Sequence, residues 1–389
     1  MDAIQRGVLT LIKAAVLQQS FPLPEDFSLE QAYSLITRHH ITAMAFEGAR
    51  LCGIPRQDPT MGKLFAAYCR SLQISEGQLR ELERVYAVFE QNHIDYMPLK
   101  GSIMKYLYPK PELRTMGDAD IVIRKEQYHT ITALLQENGF QWKNDSECHG
   151  VWKNNQLCLE LHWKLMSHRT PTFEEYYGDG WKFAVSQQGH RYTMTEVDTF
   201  IFLFVHFTKH YLASGIGCRQ TTDLWLYLSK HPGMDQAELR AKLETLKLWT
   251  FYENILDLLQ YWFEGGPETE KREYMSRFIL SDGSWGHMGN DRLTEAAWNM
   301  SKAGNTKRAK YLFYLQRLFP PAELISGAYP VLRKAPWLLP VFWVVRLFDK
   351  MFIKREFVRK FRQTSRQLSS DEIKQKKYEL QLVGLDQYM

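Results

Sequence analysis

Apolar residues recur at helical spacing at the start of the chain. Over residues 1–92 they stand three and four positions apart, a pattern typical of amphipathic helices. The first stripe contains Leu9, Leu11, Ile12, Ala15 and Val16. The sequence Ser28-Leu-Glu-Gln31 resembles a capping box, which satisfies free backbone groups where a helix begins. We therefore predict an N-terminal helical region over residues 1–92.

Shorter apolar runs replace this pattern in the next hundred residues. Tyr96–Leu99 and Ala119–Ile123 have the length and apolar character of strands. Lys125–Asn138 has helical spacing and stops before Gly139, a residue that readily takes the left-handed conformation after a helix end. We expect residues 93–195 to form an α/β-type core with a small mixed sheet.

Helical spacing returns from Thr195, where Thr195 and Asp198 are spaced as a capping pair. Helices are predicted over Phe200–Leu212, Thr222–Ser229 and Leu239–Phe263. Residues 196–330 should form a helical substrate or acceptor region, with a glycine-rich loop at 281–290 that could close over substrate or remain a plain surface loop. The chain is therefore predicted to be an α+β protein with N-terminal helices and a large, mostly helical C-terminal part.

The last segment, residues 331–389, is basic and amphipathic and ends in a polar tail. Between Trp337 and Arg366, aromatic and aliphatic residues are mixed with cations. This pattern fits a helix packed on the core with solvated cations, or peripheral contact with an anionic membrane surface. We expect the tail from Asp371 to be weakly anchored. No apolar window approaches the roughly 20 residues of a spanning helix, so an integral membrane protein is not expected.

Composition and charge narrow the class of protein. Of 389 residues, 45% are hydrophobic and 24% are charged, as in ordinary folded proteins. The net charge of +5 is too balanced to indicate nucleic acid as a partner. Five scattered cysteines lack the spacing of zinc sites or disulfide scaffolds, so a reducing, cytoplasmic location is expected.

Two carboxylates at the start of a strand are the first candidates for catalysis. Asp118 and Asp120 open the run Ala119–Ile123, and strand residues two apart point to the same face. Two adjacent anions repel each other, so keeping both ionised requires a cation, and oxygen ligands favour hard ions such as Mg²⁺. Such a triplet also occurs on solvated turns, so its neighbours decide the interpretation.

A predicted hairpin supplies a third carboxylate. Strand-like runs at 150–153 and 156–163 flank two asparagines, which tolerate the positive φ angles of a tight turn. Alternation in the second run puts Glu160 and His162 on the face opposite its leucines. Glu160 can then face the aspartate pair. The alternatives are an ordinary half-exposed sheet carboxylate for Glu160 and a structural role for His162.

Gly101 and Ser102 link the first predicted strand to a helix. Glycine lets a phosphate approach the backbone, and a helix start offers unpaired N–H donors to it. Lys100 and Arg114 lie nearby in sequence, so two cations are available for a polyphosphate. The alternative is a simple turn with two solvated surface charges.

Together these motifs resemble the nucleotidyltransferase superfamily, with its Gly-Ser turn, acidic pair on a strand and third carboxylate on a later strand. More narrowly they resemble the uncharacterised bacterial nucleotidyltransferase family, often met near polysaccharide-biosynthesis functions. The matching motifs are Leu99-Lys-Gly-Ser102, Tyr108-Pro109, Arg114-Thr-Met-Gly-Asp-Ala-Asp120, Leu159-Glu-Leu-His-Trp163, His206-Phe-Thr-Lys-His210 and Arg219-Gln-Thr-Thr-Asp223. The resemblance covers about residues 95–350 and is more specific for the fold than for the substrate.

The resemblance implies a polymerase-β-like fold, a nucleoside triphosphate such as ATP as one substrate, and two divalent ions, Mg²⁺ or Mn²⁺. The implied catalytic residues and metal ligands are Asp118, Asp120 and Glu160. The implied nucleotide-binding residues are Lys100, Gly101, Ser102 and Arg114. One ion would activate an acceptor hydroxyl and the other would neutralise the departing pyrophosphate. Positioning and charge neutralisation would supply most of the catalysis.

The helical second half offers further candidates for contact with substrate. His206 and His210 fall four apart on a predicted helix and therefore on one face. Packing is the default role for them. The alternatives are a substrate-facing role with Lys209 and metal binding, although the absence of an intervening Glu excludes the H-E-x-x-H zinc motif. Arg219 and Asp223 have the spacing of a helical ion pair that could brace the site. The candidate substrate-facing residues are His162, His206, Lys209, His210, Arg219 and Asp223.

Two classes of function stay open at this point. The first is an enzyme that moves a nucleoside monophosphate to a hydroxyl or phosphate on an unknown acceptor, whether a small molecule, a sugar or a protein. The second is an inactive nucleotide- or partner-binding module on the same fold, against which the three intact carboxylates argue. An RNA-modifying enzyme is less attractive because no concentrated basic face lies near the site.

Overall fold

A computed structural model describes most of the chain. The described residues are 1–167, 170–213, 215–281, 283, 294, 315, 318–325, 329–348 and 370–388. The chain divides into two units. The first comprises Met1–Tyr211, Gly215–Trp249 and Ile255–Gly286, and the second Leu212–Ser214, Thr250–Asn254 and His287–Met389.

The first unit begins with helices, as predicted. These are α1 (Ala3–Leu17), α2 (Leu29–Arg38), α3 (Thr42–Leu51) and α4 (Pro59–Gln91). The side chain of Asp2 accepts a hydrogen bond from Gln5 N at 2.7 Å and starts α1, and Ser28 Oγ accepts one from Gln31 N at 3.3 Å and starts α2. The apolar stripe predicted for α1 is buried. The predicted N-terminal helices are therefore confirmed.

A five-stranded mixed sheet follows. Its strands are β1 (Tyr96–Leu99), β2 (Ala119–Ile123), β3 (Gln141–Asp145), β4 (His149–Lys153) and β5 (Cys158–His162). They are arranged in the order β1-β2-β5-β4-β3, and only β2 and β5 pair in parallel. A separate two-stranded sheet contains β6 (Val185–Ser186) and β7 (Tyr192–Thr193). The α+β class, both early strands and the hairpin of β4 with β5 are confirmed.

Short helices connect the strands. They are α5 (Gly101–Met104), α6 (Tyr128–Glu137) and α7 (Pro171–Tyr177), with 3₁₀ turns at Lys105–Leu107, Pro111–Leu113, Lys125–Gln127 and Trp181–Phe183. Gly139 follows α6 with a φ of 82°, the left-handed conformation expected after that helix.

One face of the sheet packs against α4 and α6. Buried residues on that face include Ile121, Leu159 and Trp152, together with Phe89 of α4 and Leu135 of α6. Each buried side chain of this size contributes about 1.5–3 kcal/mol. A one-residue slip of a strand would turn its core residues to the other face, so this packing fixes which residues point away from the core.

A helical region follows the sheets, and all of it except Leu212 and Thr250–Asn254 belongs to the first unit. It contains α8 (Glu196–Leu212), α9 (Cys218–Lys230), α10 (Gln236–Thr245), α11 (Trp249–Phe263) and α12 (Glu270–Ser281). Thr195 Oγ1 accepts from Asp198 N at 3.1 Å, which confirms the predicted cap of α8. The single helix predicted over Leu239–Phe263 is wrong, because Lys247 takes a φ of 55° and separates α10 from α11.

The described part of the second unit is also helical. It includes α13 (Ala322–Ile325), α14 (Leu339–Phe348) and α15 (Ser370–Val383), with 3₁₀ turns at Pro330–Arg333, Pro336–Leu338 and Asp386–Tyr388. The weakly anchored tail predicted from Asp371 is wrong, because Ile373, Leu380 and Val383 are buried along α15 and Leu385 follows them.

Two predicted features fall wholly or partly outside the described residues. These are the loop at 281–290, apart from Ser281 and Gly283, and the basic segment after residue 348 up to residue 369. Among the described residues, no helix combines the length and apolarity needed to cross a bilayer.

Candidate active site

The two parallel strands of the sheet bring the predicted carboxylates together. β2 and β5 pair so that Asp120 lies opposite Glu160. Asp118 precedes β2 by one residue and Asp120 by two, which favours the same side of the strand. The alternate residues Ile121 and Leu161 belong to the core. The packing that buries these apolar residues therefore turns the carboxylates to the opposite face of the sheet.

Asp120 shares one of its oxygens between two basic side chains. Only 3% of the residue is exposed. Lys100 Nζ donates to Oδ1 at 2.6 Å, and His162 Nε2 lies 2.9 Å from the same oxygen. Burial opposes ionisation, but the charge of Lys100 and the hydrogen bond from His162 outweigh it and hold the pKa of Asp120 well below its usual range. Asp120 is therefore an anion at neutral pH.

Lys100 stands at a sharp change of direction between β1 and α5. Its backbone has a φ of 46° and a ψ of −114°, a region that residues with a side chain rarely adopt. Burial opposes its charge, but attraction to Asp120, and then to Asp118 and Glu160, raises the pKa of Lys100. The ammonium is therefore a fixed positive charge among three carboxylates.

Two imidazoles flank Glu160. His162 Nε2 lies 3.4 Å from Oε2, and His149 Nε2 lies 3.8 Å from Oε1. Antiparallel pairing of β4 with β5 places His149 opposite His162, with ring centroids 4.8 Å apart. Burial opposes the charged forms of His162 and Glu160. Hydrogen bonds to Asp120 and Glu160 nevertheless raise the pKa of His162, and the bond from His162 lowers that of Glu160.

Asp118 has the opposite electrostatic environment to Asp120. Burial and then repulsion from Asp120 and Glu160 raise the pKa of Asp118 to about 6, although Lys100 and Arg219 act the other way. A carboxylate held near other anions in this way gains from an added cation. Of the three carboxylates, Asp118 is consequently the one whose charge changes just below neutral pH.

One face of α8 adds basic groups to the same electrostatic environment. His206 and His210 lie with ring centroids 4.5 Å apart. Burial and repulsion from nearby cations, Lys100 among them, lower the pKa of His206 well below its ordinary value and that of His210 to about 4. Burial and Lys100 lower the pKa of Lys209 to about 8, partly offset by attraction to Asp120. Both imidazoles are therefore neutral at pH 7.

Comparison with known protein families decides the class of this protein. A family model described as an uncharacterised nucleotidyltransferase matches residues 25–264, more than half of the chain. The chain belongs to this nucleotidyltransferase family. Membership confirms the resemblance found in the motifs and makes the protein a transferase enzyme. No curated protein and no solved structure matches the chain.

A buried network braces the nucleotidyltransferase site from the side of α9. Arg114 Nε and Nη2 donate to the two oxygens of Asp223, both at 2.8 Å. Tyr108 Oη also donates to Asp223 at 2.8 Å, and Arg219 Nη1 donates to the backbone oxygen of Thr115 at 2.8 Å. The predicted ion pair of Arg219 with Asp223 is therefore wrong, because Asp223 forms its ion pair with Arg114.

The glycine-serine turn is tightly packed. Gly101 is buried, and a Cβ atom on it would lie 2.9 Å from Met116 Cγ and 3.0 Å from Arg114 Nη1. Ser102 Oγ donates to Leu99 O at 2.6 Å and is also buried. The turn therefore stands beside Arg114 and directly after Lys100. Its role as the phosphate-binding element stays a prediction.

Sequence reasoning missed two residues of this nucleotidyltransferase that the structure brings to the site. His149 faces Glu160, and Tyr108 contacts Asp223. A signal for His149 was present, because a turn at Asn154 and Asn155 sets the hairpin register and pairs His149 with His162. Tyr108 belongs to the Tyr108-Pro109 motif, but no local pattern identifies its partner, Asp223, which lies 115 residues away in the sequence.

The donor set of this nucleotidyltransferase fits divalent cations. Asp118, Asp120 and Glu160 offer carboxylate oxygens, the ligands that hard ions take. His149, Glu160 and His162 each offer one ligand atom, and these atoms lie within 4.8 Å of one another. Burial and then repulsion from Asp120 and Glu160 raise the pKa of Asp118, so a cation beside this carboxylate would be favourable. These residues suit the divalent metals that nucleotidyltransferases typically use.

Proposed function

We propose that this nucleotidyltransferase moves a nucleoside monophosphate from a nucleoside triphosphate to a hydroxyl or phosphate on a small molecule, a sugar or a protein, and releases pyrophosphate. One observation carries the proposal. Asp120 and Glu160, on neighbouring parallel strands, approach the same nitrogen, His162 Nε2, at 2.9 and 3.4 Å. Carboxylates from two strands that meet at one point, with Asp118 beside them, suit metal-assisted transfer at phosphorus.

In this reaction an oxygen of the acceptor forms a bond to the α-phosphorus of the nucleotide. The bond from that phosphorus to the pyrophosphate oxygen breaks, and the acceptor's proton passes to solvent. Divalent ions supply activation of the acceptor and neutralisation of the leaving group when they are bound. Asp118, Asp120 and Glu160 are the residues that would hold them. Because Asp120 is ionised at neutral pH, it is ready to bind a cation.

The positive groups near the carboxylates suit the triphosphate. Lys100 is a fixed cation beside Asp120, and Lys209 shares its electrostatic environment. Phosphoryl-transfer enzymes gain most of their rate from such positioning and charge neutralisation. His206 and His210 stay neutral at pH 7, so they can donate and accept hydrogen bonds without adding charge. We infer that α8 contributes this face to the substrate-binding region.

The first test is pyrophosphate release. Purified protein would be incubated with each of the four nucleoside triphosphates, Mg²⁺ or Mn²⁺, and cell extract as a source of acceptor, with α-labelled nucleotide to mark the product. We expect labelled product and pyrophosphate with at least one nucleotide, and loss of both in Asp120→Asn. The exposed Asp26→Asn is the matched control, because it removes one acidic charge far from the site in sequence.

A second measurement separates an enzyme from an inactive binding module. The double variant Asp118→Asn with Asp120→Asn should lose metal-dependent nucleotide binding in calorimetry, while its circular dichroism spectrum stays that of the parent protein. Nucleotide binding that is unchanged in this variant, together with no pyrophosphate from any of the four nucleotides, would contradict the proposal.

A further inference from the structure

Two imidazoles and one carboxylate form a second donor set at the edge of the proposed catalytic group. The side chains of His149, Glu160 and His162 each present a ligand atom, and these atoms lie within 4.8 Å of one another. Two ligands on one ion, each bonded at about 2.0–2.2 Å, stand roughly 3–4 Å apart. The distances of 3.8 Å from His149 Nε2 to Glu160 Oε1 and 3.4 Å from His162 Nε2 to Glu160 Oε2 fall in this range.

The hairpin produces this arrangement from its register. Antiparallel pairing puts His149 directly opposite His162 and Val151 opposite Glu160. Strand residues two apart share a face, so His149, Glu160 and His162 all lie on the face that carries Asp120. The donors therefore sit on rigid, hydrogen-bonded strands and not on a mobile loop.

The ring of His149 is oriented by a neighbour. Its Nδ1 lies 3.2 Å from Ser146 Oγ, and that oxygen also accepts from Cys148 N at 3.1 Å and from His149 N at 3.0 Å. In the tautomer in which Nδ1 carries the proton and donates to Ser146, Nε2 presents its lone pair toward Glu160. Histidines that bind metals are commonly held through the other ring nitrogen in this manner.

His162 stands between carboxylates of two strands. It is more than nine-tenths buried. Its Nε2 faces oxygens of both Asp120 and Glu160. A divalent cation at this point would meet one imidazole nitrogen and carboxylate oxygens from two strands.

We propose that His149, Glu160 and His162 bind a first-row transition-metal dication such as Mn²⁺, Co²⁺ or Zn²⁺. Imidazole nitrogen suits these ions, whereas Mg²⁺ takes oxygen ligands. Three protein ligands leave further positions on the ion open, as in catalytic metal sites. The inference rests on the proposed function in one respect, because Glu160 is shared with the catalytic carboxylates, and it predicts that this enzyme distinguishes Mn²⁺ from Mg²⁺.

The test is a direct measurement of nitrogen ligation. Full-length protein with one equivalent of Mn²⁺ would be measured by pulsed electron paramagnetic resonance, in which an imidazole ligand gives a ¹⁴N modulation. We expect this modulation in the parent protein, its reduction in His149→Gln and in His162→Gln, and no change in His129→Gln, an exposed histidine of α6. Calorimetry should show Mn²⁺ binding weakened about tenfold or more in His149→Gln, with Mg²⁺ binding little changed.

The outcomes distinguish this inference from the proposed function. A parent protein that binds Mn²⁺ without ¹⁴N modulation, or that keeps the full modulation in both His149→Gln and His162→Gln, overturns the histidine site even if nucleotide transfer is observed. Nitrogen modulation that depends on these two residues supports the site even if no nucleotide is transferred. Of the two substitutions, His149→Gln should disturb folding less, because the side chain of His149 is more exposed than that of His162.

Discussion

Arg114 holds Asp223 by two parallel hydrogen bonds, from Nε and Nη2 to the two carboxylate oxygens, each 2.8 Å long. Both side chains are buried, and they join the segment before β2 to helix α9. Asp118 and Asp120 follow Arg114 within six residues. The ion pair therefore anchors the segment that delivers the two aspartates to the helical region of the first unit.

We predict that Arg114→Ala lowers the free energy of unfolding by about 3–5 kcal/mol, because it leaves the carboxylate of Asp223 buried without its partner. Arg114→Lys should recover only part of this loss, since an ammonium cannot donate along two parallel directions as a guanidinium does. Urea unfolding followed by tryptophan fluorescence measures both. The matched control is Arg240→Ala, which breaks an exposed ion pair with Glu244 and a cation–π contact with Trp249 and should cost about 1 kcal/mol. An equal effect of the two alanine variants would contradict the bracing role.

Much of the sheet could be predicted because the residues of each strand themselves show a strand-like pattern. β1 and β2 are short apolar runs, and the hairpin of β4 and β5 is marked by two asparagines between alternating residues. Once the hairpin is placed, alternation along β5 puts Glu160 on the face away from the core. The predicted convergence of Glu160 with Asp120 followed from those two local patterns and the motif resemblance, and the register of β2 with β5 brings them side by side.

Other features depend on contacts that no local pattern contains. β3 (Gln141–Asp145) has all five residues exposed and no apolar alternation, so it exists because it pairs with the edge of β4. Arg114 and Asp223 are 109 residues apart, and helical spacing suggested Arg219 as the partner instead. Lys247 breaks a long apolar helical pattern because its φ is positive. The position carries no glycine, so the sequence gives no sign of this break. In each case tertiary contacts override local preference.

The backbone of Lys100 gives a prediction that does not depend on function. At a φ of 46° a side chain costs about 1–3 kcal/mol, which glycine avoids, although glycine also gains about 0.4–1 kcal/mol of freedom when unfolded. Lys100→Gly should therefore be more stable than Lys100→Ala by about 1 kcal/mol. Both variants lose the ion pair with Asp120, so their difference isolates the backbone. Equal stability of the two in urea unfolding would show that this residue is not strained.

Lys209 should make nucleotide binding sensitive to alkaline pH. Its pKa of about 8 means that the ammonium is present below pH 8 and is lost above it. If Lys209 faces the triphosphate, affinity for a nucleoside triphosphate with Mg²⁺ should fall as the pH rises through about 8. Lys209→Met should bind more weakly at pH 7 and lose this dependence. Lys230→Met, at an exposed position of α9, should keep it. A parent protein with constant affinity from pH 7 to pH 9 would remove Lys209 from the binding site.

Asp118 should lower the stability of the metal-free protein and raise it when metal is bound. The folded chain holds its proton more tightly than the unfolded chain, with a pKa of about 6 against 3.8. The contribution of Asp118 to stability in EDTA therefore falls as the pH rises from about 4 to 6, by about 3 kcal/mol, and then stays level. Asp118→Asn has no such charge, so at pH 8 without metal it should unfold at a higher temperature than the parent protein, and the difference should shrink toward pH 5.

Saturating Mg²⁺ or Mn²⁺ should reverse the order of these two proteins. A ligand that binds only the folded state stabilises it, and the parent protein has the charge at Asp118 that attracts the ion, whereas Asp118→Asn does not. Thermal unfolding at pH 8 with and without metal measures both effects, and Asp26→Asn should follow the parent protein throughout. If Asp118→Asn unfolds at a lower temperature than the parent protein in EDTA at pH 8, burial and repulsion do not penalise the charge of Asp118, and the electrostatic reason for a metal at this position fails.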